Sequence, residues 1–160
     1  MNIFVLDTDP ALAAVAQCDK HVVKMPLETA QLLCTAAALN GATDVRYKPT
    51  HRNHPCAIWA RTSRANFDWL TAHGVALADE YTRRYGKTHA SKSVIVDAIR
   101  HRVVIPDGAL TPFAQAMPDA YRAVDVVAAY RAYYLGAKRD IATWRYPAVV
   151  PSWWRDAPTC

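Results

Sequence analysis

The sequence has 160 residues, 52% of them hydrophobic and 21% charged, with a formal net charge of +5. That length and balance fit one ordinary domain with a real core and exclude a disordered chain. The modest excess of Lys and Arg favours an anionic partner without identifying it. No apolar run approaches the ~20 residues of a membrane span, and Met1 to Asp7 hold no basic leader, so a cytoplasmic protein with no membrane partner is expected. Cys18, Cys34, Cys56 and Cys160 form no Cys-x-x-Cys pair, which favours reduced thiols over a disulfide framework.

Residues 2–6 are a short apolar stretch, read as a buried strand or an extended arm. Asp9-Pro10 looks like an N-cap followed by proline at the first helical position, opening a short alanine-rich helix. A second helix is expected from about Cys18 to Leu39, stopping at Asn40-Gly41, with Pro26 kinking it. Residues 42–54 are polar, contain Lys48-Pro49 and read as a loop. Pro55 opens one long helical stretch that closes at Arg83-Arg84-Tyr85-Gly86, with basic residues in the last turn and glycine after it. A weaker helix is expected over 91–100. Pro106, Gly108, Pro112 and Pro118 make 103–118 an irregular crossing. Asp119 then caps a last helix to about Arg139, followed by an aromatic tail from Trp144 to Trp154. With no repeat, low-complexity tract or linker, residues 1–160 read as one domain. The fold expected is all-α: a compact helical bundle with a short N-terminal extended segment and an aromatic C-terminal tail.

On the second helix His21, Lys24, Glu28 and Gln31 share one face, and Val22, Val23, Pro26, Leu27, Ala30, Leu33 and Cys34 form the apolar side. An ordinary solvated face explains such a stripe. A mixture of acid, imidazole and amine on a proline-interrupted helix argues for a site instead. The second constellation, Tyr47-Lys48-Pro49-Thr50-His51-Arg52-Asn53-His54-Pro55-Cys56, runs into a helix N-terminus, where free N–H groups and cations suit phosphate. It reads equally as a polar loop in which Asn53 or His54 caps the helix. Cys18-x2-His21 and His51-x2-His54-x-Cys56 offer metal ligands, but neither half matches a common finger spacing, so no metal is expected. Most aromatics fall at helical spacing and read as core; Trp153-Trp154, with Arg155 next, is left open as a stacking pair.

Asp19-Lys20-His21, with Glu28 seven residues after the histidine, resembles the phage pyrimidine-dimer DNA glycosylase family, the endonuclease V of T-even phages. The similarity continues through Lys48-Pro49-Thr50, the Asn53-His54-Pro55 helix start and Trp59 through Phe67-Asp68-Trp69-Leu70 to Tyr85-Gly86. It extends to the aromatic tail. The chain also looks like small phage proteins that begin Met-Asn-Ile-Phe and carry Cys-Asp-Lys-His-Val-Val-Lys-Met.

This resemblance implies an all-α enzyme that binds double-stranded DNA, extrudes a nucleotide and breaks its N-glycosidic bond without a cofactor, as a monomer. Glu28 is carried over as the catalytic carboxylate, with His21 and Lys24 beside it. Lys20, Lys48, His51, Arg52, Asn53, His54, Arg61, Arg64 and Lys87 are assigned to DNA, and Gln31, Trp59 and Trp153 to the base pocket. The family's nucleophile is an N-terminal amine exposed by removal of the initiator methionine. Here Asn2 is bulky, so Met1 is expected to stay, and the arm before His21 is longer. A monofunctional enzyme in which Glu28 activates water is therefore expected, with Lys24 as a replacement amine if burial lowers its pKa. The substrate expected is a damaged or bulky pyrimidine, such as a pyrimidine dimer or a glucosylated hydroxymethylcytosine. A non-catalytic DNA-binding module and an enzyme of modified-nucleotide metabolism are the alternatives.

Overall fold

The computed structural model describes residues 1–158, so Cys160 lies outside the described residues. Among those residues the chain is all-helical, with seven α-helices, three 3-10 segments and no strand. None of these helices is long and apolar enough to cross a membrane.

The apolar run 2–6 is an arm, and it is buried: Ile3, Phe4, Val5 and Leu6 are each at most 5% exposed. Without a strand partner its N–H groups need other acceptors. The Asn2 carboxamide oxygen accepts from Ile3 N (2.8 Å) and Phe4 N (3.1 Å), and Leu6 N–H closes onto Phe4 O at 2.8 Å. This local bonding carries Phe4 into the left-handed region at φ 44°, which costs a non-glycine residue of order 1 kcal/mol or more. Burial of four apolar side chains outweighs that cost.

Helix α1 (Pro10–Val15) starts as its sequence indicates, with Asp9 accepting from Ala11 N and Leu12 N and Pro10 in the first turn. Helix α2 (Asp19–Leu39) runs unbroken through Pro26. Its surroundings differ from a two-faced helix. His21 and Glu28 of the polar stripe are buried, while Val23 and Leu27 of the apolar side are 44% and 41% exposed. The helix is central, packed by α3 (Pro55–Thr62), α4 (Arg64–Tyr85) and α5 (Lys92–Ala98), and only a narrow arc through Lys20, Val23, Lys24 and Leu27 faces solvent. At Gly74 α4 comes so close to α2 that a Cβ there would lie 2.5 Å from Thr29 Cγ2.

The stretch expected as one helix from Pro55 to Tyr85 is two. Ser63 is extended (φ −145°, ψ 156°), ending α3 and capping α4 through Oγ to Asn66 N at 3.2 Å. Buried Asn66 then bonds Trp59 O and Thr111 Oγ1, both at 2.8 Å, which fixes the corner. A serine three residues ahead of a polar residue inside an apolar run is a capping signal that helical periodicity hides.

Helix α5 runs into a 3-10 turn at Ile99–Val104, and 105–118 crosses the bundle without regular structure, as its prolines require. The last helix is shorter than expected. Asp119 opens only the turn Asp119–Tyr121, and α6 (Val126–Leu135) is capped by Asp125, which accepts from Ala128 N at 3.0 Å. The exposed segment Arg122–Asp125 has no apolar face to bury, so it gains nothing from being helical.

The tail is bound to the bundle rather than free. Asp19, the first residue of α2, donates its N–H to Thr143 O (2.8 Å), and its carboxylate accepts from Arg145 N (2.9 Å) and Thr143 Oγ1 (3.2 Å). Arg84, whose side chain is fully buried, holds the same carboxylate at 2.9 Å and Glu80 at 2.6 Å. A short helix α7 (Ser152–Arg155) ends the described chain, with Trp154 against Trp144 at 4.9 Å between centroids.

Candidate active site

Glu28 sits on the buried side of α2 at the point where the N-terminal arm crosses it. Its side chain is 10% exposed, and one N–H donor and two cations converge on it. Asn2 N–H donates to Oε2 at 3.0 Å, the Met1 ammonium lies 3.6 Å from the same oxygen, and Lys24 Nζ lies 3.0 Å from Oε1. A carboxylate this shielded costs several kcal/mol to desolvate unless it is paired and hydrogen-bonded. The arm and Lys24 supply those partners. The arm is itself latched, because Asn2 Nδ2 donates to Ala116 O (2.7 Å) in the crossing segment and Tyr130 Oη accepts from Ala116 N (3.2 Å).

The loop before α3 closes a second side. His54 caps α3 by accepting Cys56 N–H on Nδ1 at 3.1 Å, so the capping reading of this residue holds. Its pKa is depressed by burial, with further lowering from the N-terminal ammonium and His51 and an opposing pull from Glu28. His54 therefore shares the electrostatic environment of both the amine and the carboxylate. Cys56 behind it is fully buried, and burial pushes its thiol up to about 12, which leaves it unreactive.

His21, expected from the resemblance to stand beside Glu28, points into the core. It is 6% exposed, stacks on Phe4 at 4.2 Å and bonds through Nδ1 to the hydroxyl of Tyr134. Burial, with Lys138 and Lys24 nearby, pushes its pKa down to about 3, so the ring is neutral at physiological pH. Burial also raises the Tyr134 phenol well above its ordinary range, so that hydroxyl keeps its proton.

The remaining assigned residues divide. Lys20, Lys48, His51, Arg52, Asn53 and Lys87 are exposed, and Gln31 is half-buried on the open arc of α2. Arg61 is used internally, donating to Arg52 O at 2.5 Å. Arg64 faces the crossing segment, paired with Asp107 at 3.2 Å and bonded to Ile105 O. Trp59 is core: it is 5% exposed and packs with Trp69 and Phe113, so it lines no base pocket. Trp153 is half-buried, edge-on to Tyr134 at 6.0 Å with the Arg131 guanidinium 5.5 Å from its ring centroid. Lys24 has a 67% exposed side chain, so it lacks the burial a lysine nucleophile needs.

Sequence reasoning did not give Met1 and Asn2 as partners of Glu28, or Tyr134 as the partner of His21. For Asn2 a signal existed: burying Ile3 to Leu6 must carry the preceding backbone into the core, where its N–H needs an acceptor. Tyr134 lies more than a hundred residues from His21, and no local pattern links them.

Among the described residues no three His, Cys, Asp or Glu side chains are grouped to hold a metal ion. A cleft of about 590 Å³ between α4 and the Ile99–Val104 turn holds none of the assigned residues, and its charges are tied up in pairs such as Arg102–Asp68 at 2.7 Å.

No curated protein and no solved structure matches the chain. A family model described as pyrimidine dimer DNA glycosylase matches residues 1–93. That stretch contains Asn2, Lys24, Glu28 and His54 and helices α1 to α5 up to the start of the last. The match takes in more than half of the sequence, and the chain belongs to the pyrimidine dimer DNA glycosylase family.

Proposed function

We propose that the chain extrudes a damaged or bulky modified pyrimidine from duplex DNA and cleaves its N-glycosidic bond through Glu28. The observation that carries this reading is the convergence of Asn2 N–H, the Met1 ammonium and Lys24 on one shielded carboxylate. Losing the base leaves positive charge on the sugar, and a carboxylate held away from water stabilises that charge more strongly than a solvated one.

The same geometry supplies a nucleophile. The sequence argued that a longer arm with Met1 retained keeps the amine from the site. The arm instead folds back along α2 and brings that amine to 3.6 Å from Glu28. Met1 keeps its side chain at 2% exposure while the residue as a whole is half-buried, so its accessible surface lies on the main chain. Once the ammonium passes a proton to Glu28, its lone pair can attack C1′. The N–C1′ bond forms, the N-glycosidic bond breaks, and the base leaves with the bonding pair and takes the proton that Glu28 received, which restores the carboxylate charge as positive charge develops on the sugar. Opening of the sugar then gives an imine that can lead to strand cleavage. Water attacking in the same place gives an abasic site alone, the monofunctional outcome.

Lys20, Lys48, His51, Arg52 and Asn53 are proposed to grip phosphates around the lesion. A pyrimidine dimer and glucosylated hydroxymethylcytosine are the substrates put forward, in phage repair or in defence against modified phage DNA, with the protein acting in the cytoplasm as a monomer. Both substrates carry bulk, and a distorted base costs less to extrude.

The test is incubation with unmodified, irradiated and phage-modified DNA in the presence of borohydride. Abasic sites with a covalent protein–DNA adduct at Met1 support the amine. Abasic sites with no adduct assign the reaction to water. Salt-dependent binding with no base release would make the chain a binding module, and tight mononucleotide binding without duplex binding a nucleotide enzyme; either result overturns the proposal.

A further inference from the structure

The tail residue best placed to touch DNA is not the tryptophan pair. Trp153 and Trp154 are half-buried against Tyr134 and Trp144. Tyr146 is 92% exposed. It stands at the tip of a turn that Ala148 N–H closes onto Arg145 O at 2.9 Å. A solvated aromatic alone means little. What distinguishes this one is the anchoring beneath it. Arg145 N is held by the Asp19 carboxylate (2.9 and 3.1 Å), and Pro147 O accepts from Arg83 at 2.8 Å. The Arg145 guanidinium lies 4.8 Å over the Tyr85 ring. Asp19 is in turn fixed by buried Arg84.

The turn is thus fastened to the first turn of α2 and the last turn of α4, with its ring left outside. The acids at its base are consumed by Arg83 and Arg84. Exposed cations stand in the turn and next to its anchors: Arg145 in the turn, Lys20 next to Asp19, and Lys87 two residues after Tyr85. An anchored turn that presents an aromatic ring beside Arg145, with Lys20 and Lys87 next to its anchoring residues, fits a partner with negative backbone charge and flat stacked faces.

We propose that Tyr146 enters the base stack of bound duplex DNA and fills the gap left by the extruded nucleotide. The inference rests on the glycosylase reading above. It adds a contact from residues beyond the family match, which ends at residue 93.

The test uses the full chain and two duplexes, one intact and one carrying a single tetrahydrofuran abasic analogue as a ready-made gap. Wild type is expected to bind the gapped duplex more tightly. Tyr146→Ala loses roughly 5- to 100-fold of that preference, the range one base–aromatic stack carries. Tyr146→Phe and Tyr146→Trp keep it, and all variants share the wild-type affinity and salt dependence on intact duplex. Two results overturn the inference alone: Tyr146→Ala discriminating like wild type, or Tyr146→Phe losing as much as Tyr146→Ala. Wild type binding neither duplex overturns the glycosylase reading and this inference together.

Discussion

Acid should destabilise this protein already between pH 6.5 and 5, because two histidines are buried neutral. His73 is fully buried, stacks on Trp69 at 5.0 Å, meets Gln17 Nε2 at 3.2 Å and has no partner at Nδ1. Burial lowers its pKa from 6.5 to about 3, and burial with two nearby lysines does the same for His21. The folded values are depressed, so the unfolded chain binds more protons between pH 6.5 and about 3. This stability is fully present above pH 6.5 and is lost as the pH falls. At about 1.4 kcal/mol per unit, each histidine withdraws about 2 kcal/mol by pH 5. Together they remove about 4 kcal/mol of a typical ~5–15 kcal/mol, equal to a Tm drop of roughly 8–16 °C. The assay is thermal melting by circular dichroism from pH 7.5 to 4.5. His73→Gln, which keeps an amide opposite Gln17, should halve the slope, from about 2.7 to about 1.4 kcal/mol per pH unit. A flat wild-type profile, or a slope unchanged in His73→Gln, refutes the reasoning.

Three further outcomes follow from the packing. Gly74→Ala should destabilise by about 1–3 kcal/mol, because its Cβ meets Thr29 Cγ2 at 2.5 Å; Thr29→Ser in the same chain removes that methyl and should restore much of the loss in urea melts. Tyr134→Phe deprives His21 Nδ1 of its partner, lowering stability by about 1–3 kcal/mol and letting the ring's nitrogen resonances leave the single tautomer state that wild type should show by NMR. Asp19→Asn weakens the partner of a fully buried arginine, and limited proteolysis should then cut the tail near residue 143 before any helix, whereas equal protection in the variant would mean that the clamp does not hold the tail.

Legibility followed the range of the interactions. The caps at Asp9 and Gly86, the end of α2 near Asn40 and the proline-rich crossing were readable because each is decided within a few residues. The break at Ser63 was missed because its cap competes with a helical pattern continuous on both sides. The start of α6 was missed because Asp119 and Asp125 offer equivalent caps, and burial of Ala129, Tyr130 and Tyr134 chooses between them. At the candidate site Glu28 was singled out by its offset from His21 and a family likeness. Its partners were not, since Met1 and Asn2 reach it only through the fold-back of the arm, and the arm is latched to Ala116 more than a hundred residues away. Arg61, Arg64 and Trp59 illustrate the converse: charge and aromaticity marked them, but internal acceptors and core packing use them.

The most direct test of the central claim is base release by Glu28→Gln against the parent on the same irradiated and phage-modified DNA. The substituted amide is nearly isosteric with the carboxylate and keeps an oxygen for Asn2 N–H, so the fold should persist by circular dichroism while the charge is lost. Release of base should fall by at least about 100-fold. Release at the parental rate by folded Glu28→Gln would contradict the assignment of Glu28 as the catalytic carboxylate.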